Sequence, residues 1–135
     1  MNNPVWTPSQ KQIDRSQMTK FMKYVNLSRH LSLNNYDDLY SWSIQNIPSF
    51  WESVWKFCEV KYSTPYSEIV DDTSKMPGAK WFTGAQLNYA ENLLRFKDSK
   101  PAIIFKGENQ NPSILTYNDL NEEVKKAAYA LRNMG

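Results

Sequence analysis

Along the first 60 residues, apolar positions recur every three or four residues, the spacing of helices with one buried face. Ser9 is placed to cap a short turn of helix. From about 15 to 26, Met18, Phe21, Met22 and Val25 share a stripe, which predicts a longer helix. Asn34 or Asn35 is placed to cap the next, with Asp37 and Asp38 in its first turn, where the helix dipole favours acids. Its apolar face is Leu39, Trp42 and Ile44, flanked by Tyr36 and Tyr40. Pro48 breaks that run. Ser49 stands three residues before Glu52, the spacing of a capping box. Phe50, Trp51, Val54, Trp55 and Cys58 then follow on one face of a third helix.

From 61 to 85 the pattern is less regular. Pro65, Pro77 and Gly78 punctuate it, and Pro77-Gly78 fits the centre of a type II turn. Ile69-Val70 reads as a short strand. Leu87, Ala90, Leu93 and Leu94 give helical spacing from about 88 to 95. The last third changes period. Residues 101–105 are a continuous apolar run of strand length, 107–112 a polar loop, and Ile114-Leu115 a second strand, which together predict a hairpin. Thr116 stands three residues before Asp119, a capping-box spacing with Asp at its third position. The helix that follows carries Leu120, Val124, Ala127, Ala128, Leu131 and Met134 as its stripe. Gly135 sits where a glycine ends a helix. One helix on a two-stranded hairpin is a thin core, so the pattern calls for more sheet.

Composition narrows the classes. The chain has 135 residues, with five Trp, eight Tyr and six Phe. Each large aromatic buries roughly 150–250 Å², so these rings call for packing partners. Sixteen basic against fourteen acidic residues give a net charge of +2, unlike the strongly basic domains that bind nucleic acid. The opening Met-Asn-Asn-Pro-Val-Trp-Thr-Pro has no charged-then-apolar leader pattern, and no apolar run reaches the roughly 20 residues of a membrane span. The expectation is a cytoplasmic protein without a membrane span and without a nucleic-acid partner.

Candidate chemistry is sparse. The four glycines, Gly78, Gly84, Gly107 and Gly135, lie too far apart for a phosphate-cradling loop. The single His30 and single Cys58 do not form a metal-ligand cluster. His30 as a general base weighs less than His30 as a helix-terminal residue. Cys58 as a nucleophile lacks a base partner in the pattern and reads as a small apolar residue. Lys11, Lys125 and Lys126 read as solvated helix faces. Trp42, Trp51 and Trp55 as a stacking platform would need a basic groove, so packing is the better reading. No catalytic, cofactor-binding or metal site is expected within this chain.

One segment carries a resemblance. Residues 76–94, Met-Pro-Gly-Ala-Lys-Trp-Phe-Thr-Gly-Ala-Gln-Leu-Asn-Tyr-Ala-Glu-Asn-Leu-Leu, closely resemble the N-terminal region of the acetoacetyl-CoA synthetases (acetoacetate–CoA ligases) of the adenylate-forming superfamily. Trp81-Phe82-x-Gly84 and Leu87-Asn88-x-Ala90-x-Asn92 are similar to acetyl-CoA synthetases as well. Trp6-Thr-Pro-Ser9, Phe21-Met22, Val25-Asn26, Trp42-Ser43, Phe50-Trp51 and Trp55 extend the likeness towards the N-terminus. Leu115-Thr-Tyr-Asn-Asp-Leu120 resembles the superfamily's first strand–helix unit.

The resemblance implies an α/β fragment in three parts: an N-terminal helical extension over 1–60, a connector over 61–100, and an incomplete first strand–strand–helix unit of the AMP-binding domain over 101–135. It implies a whole enzyme that takes acetoacetate, ATP with Mg²⁺, and CoA to a thioester, AMP and pyrophosphate through an acyl-adenylate. The family's phosphate loop, acyl and CoA contacts and adenylation lysine have no counterpart here, so the segment alone is expected to be inactive, its partner being the rest of the synthetase. The alternatives are an acetyl- or propionyl-CoA synthetase segment, a standalone helical module that pairs with full-length synthetase, and a small helical nucleic-acid binder.

Overall fold

Residues 5–135 are described in a computed structural model; the readings that touch residues 1–4, at the start of the helical extension and of the N-terminal pattern, lie outside them. The chain divides into two compact units. Unit 1 holds the residues up to Val60 together with Thr64–Gln86; unit 2 holds Lys61–Ser63 and Leu87–Gly135. The connector read over 61–100 is thus shared between them.

Unit 1 opens with α1 (Gln10–Arg15) and α2 (Gln17–Arg29). The single helix expected from about 15 is interrupted at Ser16, whose backbone is extended (φ −65°, ψ 150°). The cause is local: the Ser16 hydroxyl oxygen accepts from Thr19 N–H at 3.1 Å, so Ser16 caps a new helix instead of continuing the old one. Ser9 caps α1 through a reciprocal box with Gln12, whose Oε1 accepts from Ser9 N–H at 2.8 Å. Helix α3 (Tyr36–Gln45) starts at Asn35, the second of the two candidate caps, whose Oδ1 accepts from Asp38 N–H at 2.9 Å.

Helix α4 (Ile47–Phe57) corrects two expectations. Pro48 sits in its first turn, where a missing N–H costs nothing and a fixed φ suits the helix. The helix therefore begins before Ser49, and Ser49 and Glu52 are interior residues rather than a capping box. Phe21, Val25 and Leu39 form the buried centre, with Met22, Tyr24, Trp42, Phe50, Val54 and Phe57 packed around them. Trp55 is buried, whereas Trp51 and Cys58 of the expected face are exposed, as is Ile44 on α3.

Strand β1 (Glu68–Val70) pairs antiparallel with β2 (Trp81–Thr83), in register Glu68 with Thr83 and Val70 with Trp81. β2 is not among the elements expected from the sequence, which gives Trp81-Phe82 no adjoining Val or Ile of the kind that marks Ile69-Val70. In the turn between them Gly78 has φ 114°, in the region that favours glycine, and the Met76–Pro77 bond is cis. Gly84 follows β2 with φ 84°, and a Cβ there would lie 3.3 Å from the Ser67 hydroxyl.

Unit 2 carries the short helix α5 (Tyr89–Leu93), the hairpin β3 (Pro101–Phe105) and β4 (Ser113–Thr116), and α6 (Tyr117–Met134). The hairpin is antiparallel, with a register shift between Pro101 and Ile103. Thr116 and Asp119 form the expected capping box: Asp119 N–H donates to the threonine hydroxyl, and Thr116 N–H to the carboxylate. The covered face of α6 is Tyr117, Leu120, Asn121, Val124 and Ala128. Ala127, Leu131 and Met134, read as its apolar stripe, are exposed, because the two-stranded hairpin covers only the first half of an 18-residue helix.

Candidate functional site

His30 is the C-cap of α2 in the left-handed region (φ 55°), exposed, with its backbone N–H bonded to Asn26 C=O. Cys58 is the exposed C-cap residue of α4. Among the described residues, no three His, Cys, Asp or Glu side chains stand together in a way that could hold a metal ion.

Trp42 and Trp55 are packing residues. Trp42 meets Phe50 edge-to-face at 6.2 Å, and Trp55 closes a triangle of rings with Tyr66 at 5.4 Å and Phe82 at 4.5 Å. Tyr66 and Phe82 complete it at 5.3 Å. Phe82 has φ 48°, a conformation that costs an L-residue roughly 1–2 kcal/mol. The ring triangle and the β1–β2 ladder on either side hold it there. Trp51 and Trp81 pair at 5.9 Å on the outside.

Beside this aromatic wall lies a charged knot. Arg29 on α2 donates to the Glu52 carboxylate, to Ser49 C=O at 3.2 Å and to the Ser53 hydroxyl at 3.3 Å. Glu52 also accepts from Lys56 Nζ at 2.7 Å and from the Tyr66 hydroxyl at 3.2 Å. The Lys56 hydrogen bond, then that of Arg29, holds the Glu52 carboxyl down to about 2. The knot ties α2, α4 and the segment before β1 together. Its charges are paired with one another.

The 76–94 segment does the equivalent for local structure. Its first half forms the end of the β1–β2 hairpin, where Asp71 accepts from Lys80 N–H at 2.8 Å and Thr64 bridges Gln86. Its second half builds α5. Asn88 caps the helix, accepting from Glu91 N–H at 3.0 Å. The Asn92 side chain clasps Lys61, donating to its C=O at 2.9 Å and accepting from its N–H at 2.8 Å. These are positioning roles, in keeping with a motif of caps and packing residues.

Among the described residues, two concavities stand out. In unit 1 a mainly apolar groove of about 500 Å³ lies among Ile13, Met18, Met22, Tyr36 and Leu39. In unit 2 a cleft of about 780 Å³ runs between α5 and α6, floored by Ala90, Leu94, Val124 and Ala128, with Lys61, Arg95, Lys97, Lys125 and Arg132 around it. The sequence reading left this cleft out and placed Lys125 on a solvated face. The available signal was the spacing of Asn121, Lys125, Ala128 and Arg132, which puts them on one side of α6.

Comparison with known proteins follows the same outline. Residues 36–93 match the family model for the acetyl-coenzyme A synthetase N-terminus. An acetoacetyl-CoA synthetase of Danio rerio is 38% identical over 134 residues, 97% of this chain and 20% of that protein. A malonamoyl-CoA synthetase of Penicillium aethiopicum is 37% identical over 124 residues, 87% of this chain and 17% of that protein. The solved structure of acetoacetyl-CoA synthetase from Streptomyces lividans has a TM-score of 0.87 at 33% identity, covering 99% of this chain and 21% of that one. The chain therefore spans about a fifth of the length of the relatives it matches.

Proposed function

From a chain whose sequence and fold match the N-terminal region of acetoacetyl-CoA synthetases, we propose that it is the opening segment of an ATP-dependent acyl-CoA synthetase, an acetoacetate–CoA ligase. The observation that carries this is the near-complete likeness: 99% of the chain at a TM-score of 0.87. In the reaction, a carboxylate oxygen attacks the α-phosphorus of ATP and pyrophosphate leaves. The CoA sulfur then attacks the acyl carbon of the adenylate, and AMP leaves.

The chain's own part is architectural. Its aromatic triangle and Arg29–Glu52 knot form a stiff unit. The β3–β4 hairpin with α6 offers a first layer for further sheet, supplied by the rest of the synthetase as its partner. Magnesium travels with ATP in such reactions. The described residues offer no clustered donor set for it, so no metal step is assigned to them. ATP and CoA are likewise handled elsewhere, and the segment alone is inactive. Among the described residues no helix is long and apolar enough to cross a membrane, and a cytoplasmic setting suits the reaction.

The likeness at 37% identity to a protein named malonamoyl-CoA synthetase supports treating substrate choice as a separate question from membership. A chimera answers both. This chain replaces the matching fifth of the Streptomyces lividans enzyme, and AMP release is followed with acetoacetate, acetate, propionate and malonamate. An active chimera with acetoacetate preferred is the expected result. A folded but inactive chimera, or thioester formation by the 135-residue chain alone, overturns the proposal.

A further inference from the structure

The α5–α6 cleft of unit 2 is built unlike the rest of the surface. Five basic side chains line it, Lys61, Arg95, Lys97, Lys125 and Arg132, against one acid, Glu91. The chain's net charge is only +2, so this concentration is local. It arises from two helical faces. On α5 and its exit, Ala90, Leu94 and Arg95 follow at helical spacing, with Lys97 just beyond. On α6, Asn121, Lys125, Ala128 and Arg132 do the same. Lys61 is fixed at the margin by two hydrogen bonds with Asn92, its N–H donating to the amide oxygen and its C=O accepting from the amide nitrogen.

The floor differs from the rim. Ala90, Leu94, Val124 and Ala128 make it apolar, and Tyr129 adds an exposed ring at its edge. Within it Asn121 is 7% exposed, one of two buried polar residues in the chain's described part. Its side chain lines the cleft. Its amide carries both donors and an acceptor at the cleft wall. Lys125 bonds to Glu122, and that carboxyl is held below its usual range by this bond and by the nearby charges of Lys126 and Lys97. Lys125 thus shares its charge with Glu122, and the remaining basic side chains of the lining outnumber its one acid, Glu91.

We propose that this cleft binds a phosphate-bearing small molecule with an apolar or aromatic body, the anion meeting Lys97, Lys125 and Arg132 and the body lying on the apolar floor with Asn121 beneath. A volume of about 780 Å³ suits such a ligand, since small-molecule sites run to roughly 300–1,000 Å³. Arg132 offers the planar fork that grips a phosphate in two places, and Lys97 a point charge. The concavity favours a small ligand over a nucleic acid, which would need an extended basic track. The site stands whether or not the chain takes part in acyl activation.

The test uses the full chain labelled with ¹⁵N, titrated with phenyl phosphate, inorganic phosphate and phenol. Phenyl phosphate is expected to bind tightest and to shift the Asn121 side-chain amide together with backbone signals of α6. Arg132→Gln and Lys97→Gln each weaken it by roughly tenfold; Arg132→Lys recovers part of the loss; Lys106→Gln, outside the cleft, changes nothing. Affinity falls as salt is raised. Both charge positions are exposed, so an unchanged amide spectrum confirms that the variants fold. Binding that ignores both substitutions, or equal weak binding of phosphate and phenyl phosphate without a shift at Asn121, overturns the proposal. So does displacement of phenyl phosphate from these residues by far lower concentrations of generic RNA or anionic vesicles, which would assign the cleft to a polymer or a membrane surface.

Discussion

Glu52 shows how much a single carboxylate can organise here. Its side chain is 20% exposed and meets Arg29 from another helix, Lys56 one turn on and Tyr66 beyond the helix. The carboxyl is held down to about 2 from 4.5. A carboxylate with a depressed folded-state value contributes stability above its unfolded value and loses it as pH falls towards the folded one. The window is therefore about 4.5 down to about 2, and unit 1 should weaken across it. Glu52→Gln should cost about 1–2 kcal/mol at neutral pH, less than the full shift implies because Lys56 is half exposed. It should also flatten the acid limb of the stability curve. Urea unfolding between pH 2 and 7 measures both, and an acid limb as steep in the variant as in the parent would contradict the assignment.

Among helices and hairpins, the decisive devices are side-chain amides that act as clasps. Asn26 holds Leu33 through both backbone groups, donating at 2.8 Å and accepting at 2.9 Å, and so folds the α2–α3 loop back. Asn92 does the same to Lys61 across 31 positions of sequence. Asn92→Ala should release the 61–63 segment from α5 at a cost of about 1–2 kcal/mol for two lost bonds. Amide exchange at Lys61 reports it directly: a strong loss of protection is expected, and unchanged protection would show that other contacts hold the segment. Sequence pattern found the neighbours of these clasps but not the clasps. Asn92 was legible as part of a motif, yet its partner lies in a stretch with no period to mark it.

For the chain as a unit, the unmet need is cover for apolar surface. Ile103, Ile104, Phe105 and Ile114 on the β3–β4 hairpin are 49–66% exposed, and Leu131 and Met134 on α6 are 68% and 82%. A two-stranded sheet with one helix leaves such faces in water, where they attract apolar dyes and other chains. The purified chain should bind ANS. The pair Ile104→Lys and Ile114→Thr should lower that binding by about half or more while leaving unit 1 intact. An ANS-silent, cooperatively unfolding parent would mean that these side chains find cover that the fold described here does not provide.

Local chemistry was readable from the order of residues. Ser9, Asn35 and Thr116 each cap a helix by bonds to groups three positions away, and such bonds need only the neighbouring sequence. The buried or half-buried parts of the α2 and α4 stripes (Phe21 and Val25, Val54 and Trp55), the β3–β4 hairpin and the resemblance in 76–94 were legible for the same reason, while Met18, Trp51 and Cys58 of those stripes are exposed. What lay beyond that reach depended on segments distant in sequence. β2 became a strand because β1 lay beside it, and Glu52 joined Arg29 because two helices packed. Half of the expected stripe on α6 stayed exposed because the hairpin was too narrow to cover it. The basic cleft came into being only where α5 and α6 converged, since neither helix alone carries enough charge or concavity to form it. Pairing across such distances is settled by packing, which no short window of sequence contains.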